Sequence, residues 1–539
     1  MSSRLSRRSV VAGSLGMAFA AALPGRLLAQ GAPAAGAGAG AEAGGLHLGA
    51  PFAFRFEDLI ARARDAAARP YAAPYRPRPE VTAAIDYAAH GQIRYRPDLA
   101  LYADGPGDYP ATFFHLGQFF QKAVKMHRVT DGQAQEIRYS PDYFAMPADS
   151  VARQLPPDAG FAGFRLQESR QQERWKTHDW LAFLGASYFR AIGALNQYGL
   201  SARGVLVDAA VPDRDEEFPD FTEFYIGPAA AGEAVEIHAL LDGPSITGAF
   251  RFLARRDEAV IMDVQARLFL REAVERLGIA PLTSMYWYGE GDRPLQVDWR
   301  PEVHDSDGLV LWTGGGEYLW RPLKNPAHTT VSSFLDASPR GFGLAQRDRN
   351  PENYLDGVRY ELRPTLWVEP LGDWGRGAVQ LLEIPTDDEI HDNIGAFWVP
   401  EAAAAPGQEL AFDYRLHWVA DEPFFPAGLA RSVATRVGRG GEPGKPRPAG
   451  VTKVIVEFAG GPLPELPAGV IPEAVITASR GEVGHIFVEA VPGLFGRWRA
   501  HFDLTVAGTE PVELRLYLTL DDRPITETWL YQHTPRAAS

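Results

Sequence analysis

The chain has 539 residues, 46% of them hydrophobic and 11% aromatic, with no cysteine and a formal net charge of −15 at pH 7. This length is enough for two or more domains with large cores, and the lack of cysteine excludes disulfides, thiolate metal sites and thiol catalysis. The acidic charge disfavours nucleic acids and anionic lipids as partners, because both bind to basic surfaces.

The first 29 residues are typical of a twin-arginine signal peptide. Arg7 and Arg8 precede an apolar run rich in small residues, from Val10 to about Leu23, which is too short to span a bilayer stably. Twin-arginine export carries folded proteins across the inner membrane, so the pattern predicts a periplasmic protein with no stable membrane insertion. Residues 30–45 are almost entirely Gly and Ala and are predicted to form a disordered tether.

Residues 46–425 are predicted to form a large β-sandwich. Short aromatic and β-branched runs alternate with Gly, Pro, Asp and Asn, a pattern typical of many strands joined by turns. The clearest strand runs are Val235–Leu241, Ala259–Val264, Leu309–Trp312 and Ala378–Ile384. One helix is predicted over Phe56–Ala68, where Leu59, Ile60, Ala63 and Ala66 are spaced for one face.

The C-terminal part is predicted to be a second, smaller β-sandwich. Residues 426–449 are rich in Gly and Pro and are interpreted as a linker, and 450–539 as an immunoglobulin-like domain. Strict alternation of apolar and polar residues predicts antiparallel strands. The predicted strands are Lys453–Phe458, Ala474–Thr477, His485–Ala490, Trp498–Val506, Val512–Leu520 and Glu527–Tyr531. The predicted fold class is therefore all-β.

The sequence lacks the common nucleotide-binding, hydrolase and metalloprotease motifs. It contains no P-loop, no G-x-G-x-x-G turn, no G-x-S-x-G elbow and no H-E-x-x-H. His304 with Asp305 and Asp307 is the one group considered as metal ligands, but aspartates in turns usually hydrogen-bond to the backbone. We therefore expect neither a metal nor a cofactor.

Two acidic clusters lie in aromatic-rich segments, at Asp298–Gly308 and Glu383–Asn393. Cleavage of a glycosidic bond needs two carboxylates on opposite sides of the glycosidic oxygen and aromatic faces for the sugar rings. The clusters therefore suggest carbohydrate chemistry. The alternative is that the second cluster is a capped turn entering a short helix, because Thr386 and Glu389 match a capping box.

Several long segments carry a resemblance to a known family. They are Phe183–Arg190, Gln197–Gly204, Asp298–Gly308, Glu317–Leu323, Gly341–Arg349, Trp367–Pro370 and Glu383–Asn393. Over essentially the whole mature chain, the sequence resembles the periplasmic glucan biosynthesis proteins G and D, which serve osmoregulated periplasmic glucan production in Gram-negative bacteria. The twin-arginine signature favours the D type. The resemblance implies a large galactose-mutarotase-like β-sandwich followed by a smaller immunoglobulin-like β-sandwich.

The resemblance also implies an activity, that of an anomer-inverting glycoside hydrolase on β-1,2-glucan. It places the general acid at Asp392 and the general base at Asp305, with Asp307 as the fallback. An inverting acid must stay protonated, and we expect the nearby charge of Glu389 to raise the pKa of Asp392. Arg300 or Arg347 is expected to orient Asp305. The candidates for glucan contacts are Arg347, Arg349, Tyr354, Trp320, Asp388 and Arg300.

Other functions stay open at this point. Gly395 and the loop Gly289–Arg293 depart from the family pattern, and loops around such a cleft decide whether water or a sugar hydroxyl attacks. An inverting transglycosylase, possibly cyclising, is therefore an alternative, and so is a non-catalytic glucan-binding scaffold. Mutarotase-type epimerisation rests on fold analogy alone. A homodimer is compatible with the sequence, which does not fix the oligomeric state or the preferred glucan length.

Overall fold

The computed structural model describes residues 45–295, 298–442 and 444–535. The predicted signal peptide, and all of the predicted tether except Gly45, lie outside these ranges. The described chain is nearly all β, which confirms the predicted fold class. The α-helices are α1 (Phe56–Ala67), α2 (Pro79–Ala84) and α3 (Tyr87–Gly91). Short 3₁₀ turns occupy Pro97–Leu99, Pro141–Tyr143, Val151–Gln154, Glu290–Leu295, Pro351–Asn353, Tyr360–Leu362 and Leu463–Glu465.

The strands are numbered here in chain order. The first eleven are β1 (Phe52–Ala53), β2 (Arg94–Tyr95), β3 (Ala111–Phe114), β4 (Lys125–Thr130), β5 (Gln133–Ile137), β6 (Phe144–Ala145), β7 (Gly163–Gln167), β8 (Asp179–Leu184), β9 (Tyr188–Ala191), β10 (Ser201–Arg203) and β11 (Val205–Val207). The next eight are β12 (Asp220–Ile226), β13 (Val235–Asp242), β14 (Ile246–Arg256), β15 (Val260–Leu270), β16 (Leu277–Ser284), β17 (Tyr286–Tyr288), β18 (Val303–His304) and β19 (Gly308–Trp312).

The remaining strands follow the same numbering. They are β20 (Tyr318–Pro322), β21 (Thr330–Ala337), β22 (Gly341–Ala345), β23 (Thr365–Pro370), β24 (Arg376–Glu383), β25 (Ile394–Pro400), β26 (Glu409–Val419), β27 (Arg431–Arg439), β28 (Val451–Ala459), β29 (Glu473–Ala478), β30 (Glu482–Ala490), β31 (Arg497–Thr505), β32 (Val512–Leu520), β33 (Arg523–Pro524) and β34 (Thr528–His533). Every strand predicted by name is present, with small differences at the ends, except that β15 continues to Leu270, well beyond the predicted end at Val264.

Two sheets form the main sandwich. The larger runs in the order β1-β5-β4-β12-β13-β14-β15-β26-β23-β22-β19-β20-β34-β32-β29, and the smaller in the order β21-β24-β25-β16-β10-β9-β8-β7-β3. Phenylalanine rings fill the space between them: Phe183 of β8 and Phe189 of β9 both meet Phe252 of β14 edge-on, with ring centroids 5.2 and 5.3 Å apart. This burial of large aromatic surface is the main favourable contribution to folding of the sandwich.

Helix α1 confirms the predicted amphipathic segment to within one residue. Its Leu59 and Ala63 are fully buried, and Thr247 of β14 donates a hydrogen bond of 2.7 Å to the carbonyl oxygen of Ala63. Glu57 and Asp58 lie in the first turn, where negative charge favours the helix dipole. The helix therefore covers the outer face of the larger sheet.

The C-terminal strands make a second sandwich that shares the larger sheet. Strands β27-β28-β31-β30 form a four-stranded sheet, while β34 pairs in parallel with β20, so that Trp529 lies opposite Trp320. The segment 426–449, predicted as a linker, contains β27, which pairs with β28 along its length. Residues 426–430 and the described residues between Arg439 and Val451 lie outside the strands. The division of the chain into two domains remains a proposal.

Candidate functional site

The two acidic segments of the sequence meet at the end of strand β16. Asp305 directly follows β18, and its N–H donates a hydrogen bond of 2.8 Å to the carbonyl oxygen of Met285, which comes just after β16. Asp392 precedes β25, which pairs with β16 so that Ile394 lies opposite Ser284. Both carboxylates are therefore positioned from one end of the same strand.

Asn393 ties the loop that carries Asp392 to this strand end. Its side-chain Oδ1 accepts a hydrogen bond of 2.8 Å from the N–H of Tyr286. Its Nδ2 donates to the carbonyl oxygens of Tyr286 and Ile384, both at 2.9 Å. The side chain is only 2% exposed, so these three bonds fix the position of Asp392 relative to Asp305.

Replacing Asn393 with alanine is expected to destabilise the protein by about 2–3 kcal/mol, because buried backbone groups lose their partners. The free energy of unfolding, measured by urea denaturation, tests this. Asn350 is the control, since it is exposed and only caps one short turn; its alanine variant should lose about 1 kcal/mol or less. Equal losses for the two variants would contradict the role given to Asn393.

The pKa of Asp392 is raised to about 7. Burial is the largest cause, the charge of Asp305 is the second, and the guanidinium groups of Arg190 and Arg363 oppose both. A carboxyl with this pKa is partly protonated near neutral pH and can donate its proton. The prediction of a raised pKa is supported, but Asp305 supplies the neighbouring charge that was predicted for Glu389.

Asp305 is 4% exposed and pairs with a different arginine from those predicted. The Nε of Arg363 lies 2.9 Å from its Oδ1. Burial raises the pKa of Asp305, while Arg363 and His304 lower it. This corrects the prediction that Arg300 or Arg347 orients the carboxylate.

Glu389 and Arg300 instead form a structural cluster beside the site. The Oε2 of Glu389 accepts hydrogen bonds from Arg300 at 2.7 Å and from the Tyr360 hydroxyl at 2.5 Å. Arg300 also pairs with Asp298 at 2.9 Å and Asp356 at 2.8 Å. The Arg300 guanidinium thus forms ion pairs with three carboxylates. This argues against the predicted contact between Arg300 and glucan. Residues 386–392 form a turn and not the short helix of the capping-box alternative.

An aromatic-lined groove of about 360 Å³ includes Tyr188 in its lining. Phe119, Phe120 and Phe218 are further lining residues. Among the described residues none hydrogen-bonds to the buried Tyr188 hydroxyl; burial raises its pKa most, and the charge of Asp392 adds to the rise. Tyr188 therefore links the groove to the surroundings of Asp392, and the groove presents aromatic faces of the kind on which sugar rings stack.

Arg347 and Trp320, both predicted to contact glucan, are engaged with each other and with buried acids. The Arg347 guanidinium lies over the Trp320 ring at 3.7 Å from its centroid. Its nitrogens bind Glu422 and Glu527, both at 2.6 Å, and both carboxyl side chains are fully buried. This corrects the prediction, because Arg347 serves as an internal ion-pair centre and covers the face of Trp320.

Arg349 and Tyr354 also bind within the protein. Arg349 donates hydrogen bonds to the carbonyl oxygens of Glu361, Arg363 and Ala420. Tyr354 is 1% exposed, and its hydroxyl donates to the carbonyl oxygen of Asp348. Tyr354 is therefore too deeply buried for the predicted glucan contact, whereas the contact of half-buried Arg349 with glucan stays a prediction. Asp388 is exposed in the turn before Asp392, where its Oδ1 accepts from the N–H of Ile390 at 3.3 Å.

Asp307 faces away from the pair formed by Asp305 and Asp392. Its Oδ2 accepts hydrogen bonds from the backbone N–H groups of Arg347 and Asp348, and its Oδ1 lies 3.5 Å from His304 Nε2. Its carboxylate is therefore held by the backbone, and the fallback assignment of the base to Asp307 is not supported.

Several residues around the two aspartates were not predicted individually. Tyr188, Arg190 and Arg363 interact electrostatically with Asp392, and Tyr360 with Asp305. Tyr188 and Arg190 alternate on β9 around the buried Phe189, so a period of two would have placed them on one face. Both belong to the segment Phe183–Arg190 already noted in the sequence. Tyr360 begins a short 3₁₀ turn and Arg363 follows that turn, and neither carries such a signal.

Residues 54–533 match the family described as "Periplasmic glucan biosynthesis protein, MdoG". The chain is 58% identical over 495 residues to Glucans biosynthesis protein D 2 of Ralstonia nicotianae, covering 90% of this chain and 92% of the relative. The chain belongs to this family. It is also 48% identical over 500 residues to Glucans biosynthesis protein D of Xanthomonas oryzae pv. oryzae (91% and 92% covered). The corresponding protein of Stenotrophomonas maltophilia is 47% identical over 511 residues, with 94% of each chain covered.

Membership of the periplasmic glucan biosynthesis family confirms the resemblance stated from the sequence. The family description assigns its members to the periplasm and to glucan biosynthesis. Among residues 45–295, 298–442 and 444–535, no helix combines the length and apolar character needed to cross a bilayer.

Proposed function

We propose that this member of the periplasmic glucan biosynthesis family is an anomer-inverting endo-β-1,2-glucanase. The observation that carries the proposal is the proximity of two aspartates, buried Asp305 and half-buried Asp392. Burial and the charge of Asp305 raise the pKa of Asp392 to about 7. In glycosidases, different surroundings give the two catalytic carboxyls different pKa values, so that one acts as the acid and the other as the base. The β-1,2 linkage follows from the resemblance noted in the sequence.

In the proposed reaction, protonated Asp392 donates its proton to the glycosidic oxygen as the bond from C1 to that oxygen breaks. The carboxylate of Asp305 accepts a proton from water, whose oxygen forms the new bond to C1 on the opposite ring face. The product therefore has the inverted anomeric configuration. Burial raises the pKa of Asp305, and Arg363, whose Nε lies 2.9 Å from the Asp305 Oδ1, opposes this and favours the ionised form.

Incubation of the full chain with linear β-1,2-glucan tests the proposal. We expect shorter oligosaccharides by mass spectrometry, with the α anomer formed first in proton NMR spectra. Cyclic or lengthened products would indicate the transglycosylase alternative. Binding without any turnover would overturn the proposal in favour of a glucan-binding scaffold.

The rate of glucan cleavage is expected to follow a bell-shaped pH profile. Asp392 acts in its protonated form, so kcat/KM should fall as the pH rises above its pKa of about 7. Asp305 acts in its ionised form, and burial raises its pKa, so the acidic limb should lie above the usual range of an aspartate near 3.9. Initial rates between about pH 4 and pH 9 measure both limbs.

Replacing Glu389 with glutamine provides a control for this profile. The charge of Glu389 helps to raise the pKa of Asp305, but it is not among the causes that raise the pKa of Asp392. The acidic limb should therefore move to lower pH while the basic limb stays in place. A shift of the basic limb alone would contradict the assignment of Asp305 as the charge that acts on Asp392.

A further inference from the structure

A second cavity, of about 80 Å³, is lined by none of the residues that line the aromatic groove. Glu302 and His304 are 3% and 1% exposed there, and Asp307 lies beside them. One side-chain ligand atom from each of these three residues lies within 4.8 Å of the other two. Ligands of a first-row metal with bonds of about 2.1 Å are spaced by about 3–4 Å, so small side-chain movements would complete such a set.

Gln346 fixes which nitrogen of His304 faces the two carboxylates. The Gln346 Nε2 donates hydrogen bonds to the Tyr354 hydroxyl at 2.9 Å and to the Tyr360 carbonyl oxygen at 3.1 Å. Its Oε1 is therefore the atom that lies 3.0 Å from His304 Nδ1, which must carry a hydrogen. The Nε2 then points at Glu302, at 3.1 Å, and at Asp307, at 3.5 Å. Metal-ligating histidines are held in this way by a partner on the other ring nitrogen.

Acidic side chains predominate among the described charged residues that line the cavity. They are Glu290, Asp292, Glu302, Asp307 and Asp348. The described lining also contains Arg347, which is paired with Glu422 and Glu527. Arg436 lies 3.8 Å from Glu290. A cation bound in the cavity would be surrounded mainly by acidic groups.

We propose that Glu302, His304 and Asp307 bind a divalent first-row transition cation such as Zn²⁺. One imidazole nitrogen and two carboxylate oxygens suit Zn²⁺ or Mn²⁺, whereas Ca²⁺ and Mg²⁺ prefer ligand sets made of oxygen alone. The cation takes the place of a proton between His304 Nε2 and the carboxylates, and binding releases that proton. The sequence placed Asp305 in this group, but Glu302 is the third ligand because Asp305 faces Arg363. A cation at this position holds the segment from which Asp305 projects.

Calorimetric titration of the full chain, freed of metal with a chelator, tests the site with Zn²⁺, Mn²⁺ and Ca²⁺ as probes. We expect one equivalent of Zn²⁺ to bind in a saturable way and Ca²⁺ not to bind. Glu302→Gln and Asp307→Asn should each weaken Zn²⁺ binding about tenfold or more. Asp292→Asn is the matched control, because Asp292 lines the same cavity outside the ligand set, and should leave the affinity nearly unchanged.

The absence of saturable Zn²⁺ binding would overturn the proposal, and so would equal affinity in the wild type and both ligand variants. Anomalous scattering at the zinc edge, measured on wild-type crystals soaked in Zn²⁺, tests the site without any variant, so misfolding of a variant does not affect the result. A peak about 2.1 Å from His304 Nε2 is expected, and a peak only elsewhere counts against the site. None of these measurements uses glucan, so their results test the metal site independently of the proposed hydrolase activity.

Discussion

Replacing Asp392 with asparagine is expected to lower kcat on linear β-1,2-glucan by about 10³-fold. The amide has nearly the same shape as the carboxyl but cannot supply an acidic proton to the leaving oxygen. The wild-type group is suited to that task because burial and the charge of Asp305 raise its pKa to about 7. Release of reducing ends from the glucan measures the loss.

The control for this variant lies in the same turn. Asp387 is exposed and is not among the predicted glucan contacts, so Asp387→Asn should keep a rate close to that of the wild type. Both variants should melt at the wild-type temperature and still bind glucan. If Asp392→Asn keeps more than about a tenth of the wild-type kcat, the assignment of the general acid fails.

The strands with the clearest alternation were predictable because one face is buried and the other is more exposed. The alternation in Val512–Leu520 is an example: Val512, Leu514, Leu516 and Leu518 are buried, and the sequence predicts the strand to the residue. Strand β27 was missed because the segment 426–449 has the Gly and Pro content of a connection. Sequence composition does not show that Arg431–Arg439 pairs with β28.

The two proposed catalytic carboxylates were predicted, but their neighbours were not. The prediction named Glu389 as the charge that acts on Asp392 because the two residues are three positions apart. That spacing brings side chains together on the surface of a helix. The chain forms an irregular turn there, and Glu389 points to Arg300 and Tyr360. The charge that acts on Asp392 comes from Asp305. This residue is distant in sequence, and the pairing of β16 with β25 and the bond from Asp305 to Met285 bring the two segments to the same strand end.

Arg347 was predicted to contact glucan, and its position in a segment that resembles the family did not reveal its buried ion pairs. It lies in Gly341–Arg349, one of the segments that carry the family resemblance, and a segment of this kind can hold structural residues as well as ligand contacts. Only the fold reveals that Glu422 and Glu527 converge on its guanidinium. The two acids come from the end of the large sandwich and from the residue before β34, so Arg347 joins the two sandwiches.

Replacing Arg347 with methionine is accordingly expected to destabilise the protein by about 3–5 kcal/mol. Methionine keeps the apolar contact with Trp320 but leaves Glu527, whose side chain is fully buried, without its cationic partner. Glu422 retains Arg431 at 3.0 Å, so the uncompensated charge is mainly that of Glu527. Urea denaturation followed by tryptophan fluorescence measures the change in the free energy of unfolding.

The double variant Arg347→Met with Glu527→Gln separates the lost charge pairing from lost packing. Glutamine removes the buried negative charge and can still accept the hydrogen bond that the N–H of Ser432 donates to Glu527 at 2.7 Å. A large part of the lost stability should therefore return, since an unpaired buried charge costs more than a neutral, hydrogen-bonded group. If the double variant is as unstable as the single one, the destabilisation arises from packing around Trp320, and the ion pair is not what joins the two sandwiches.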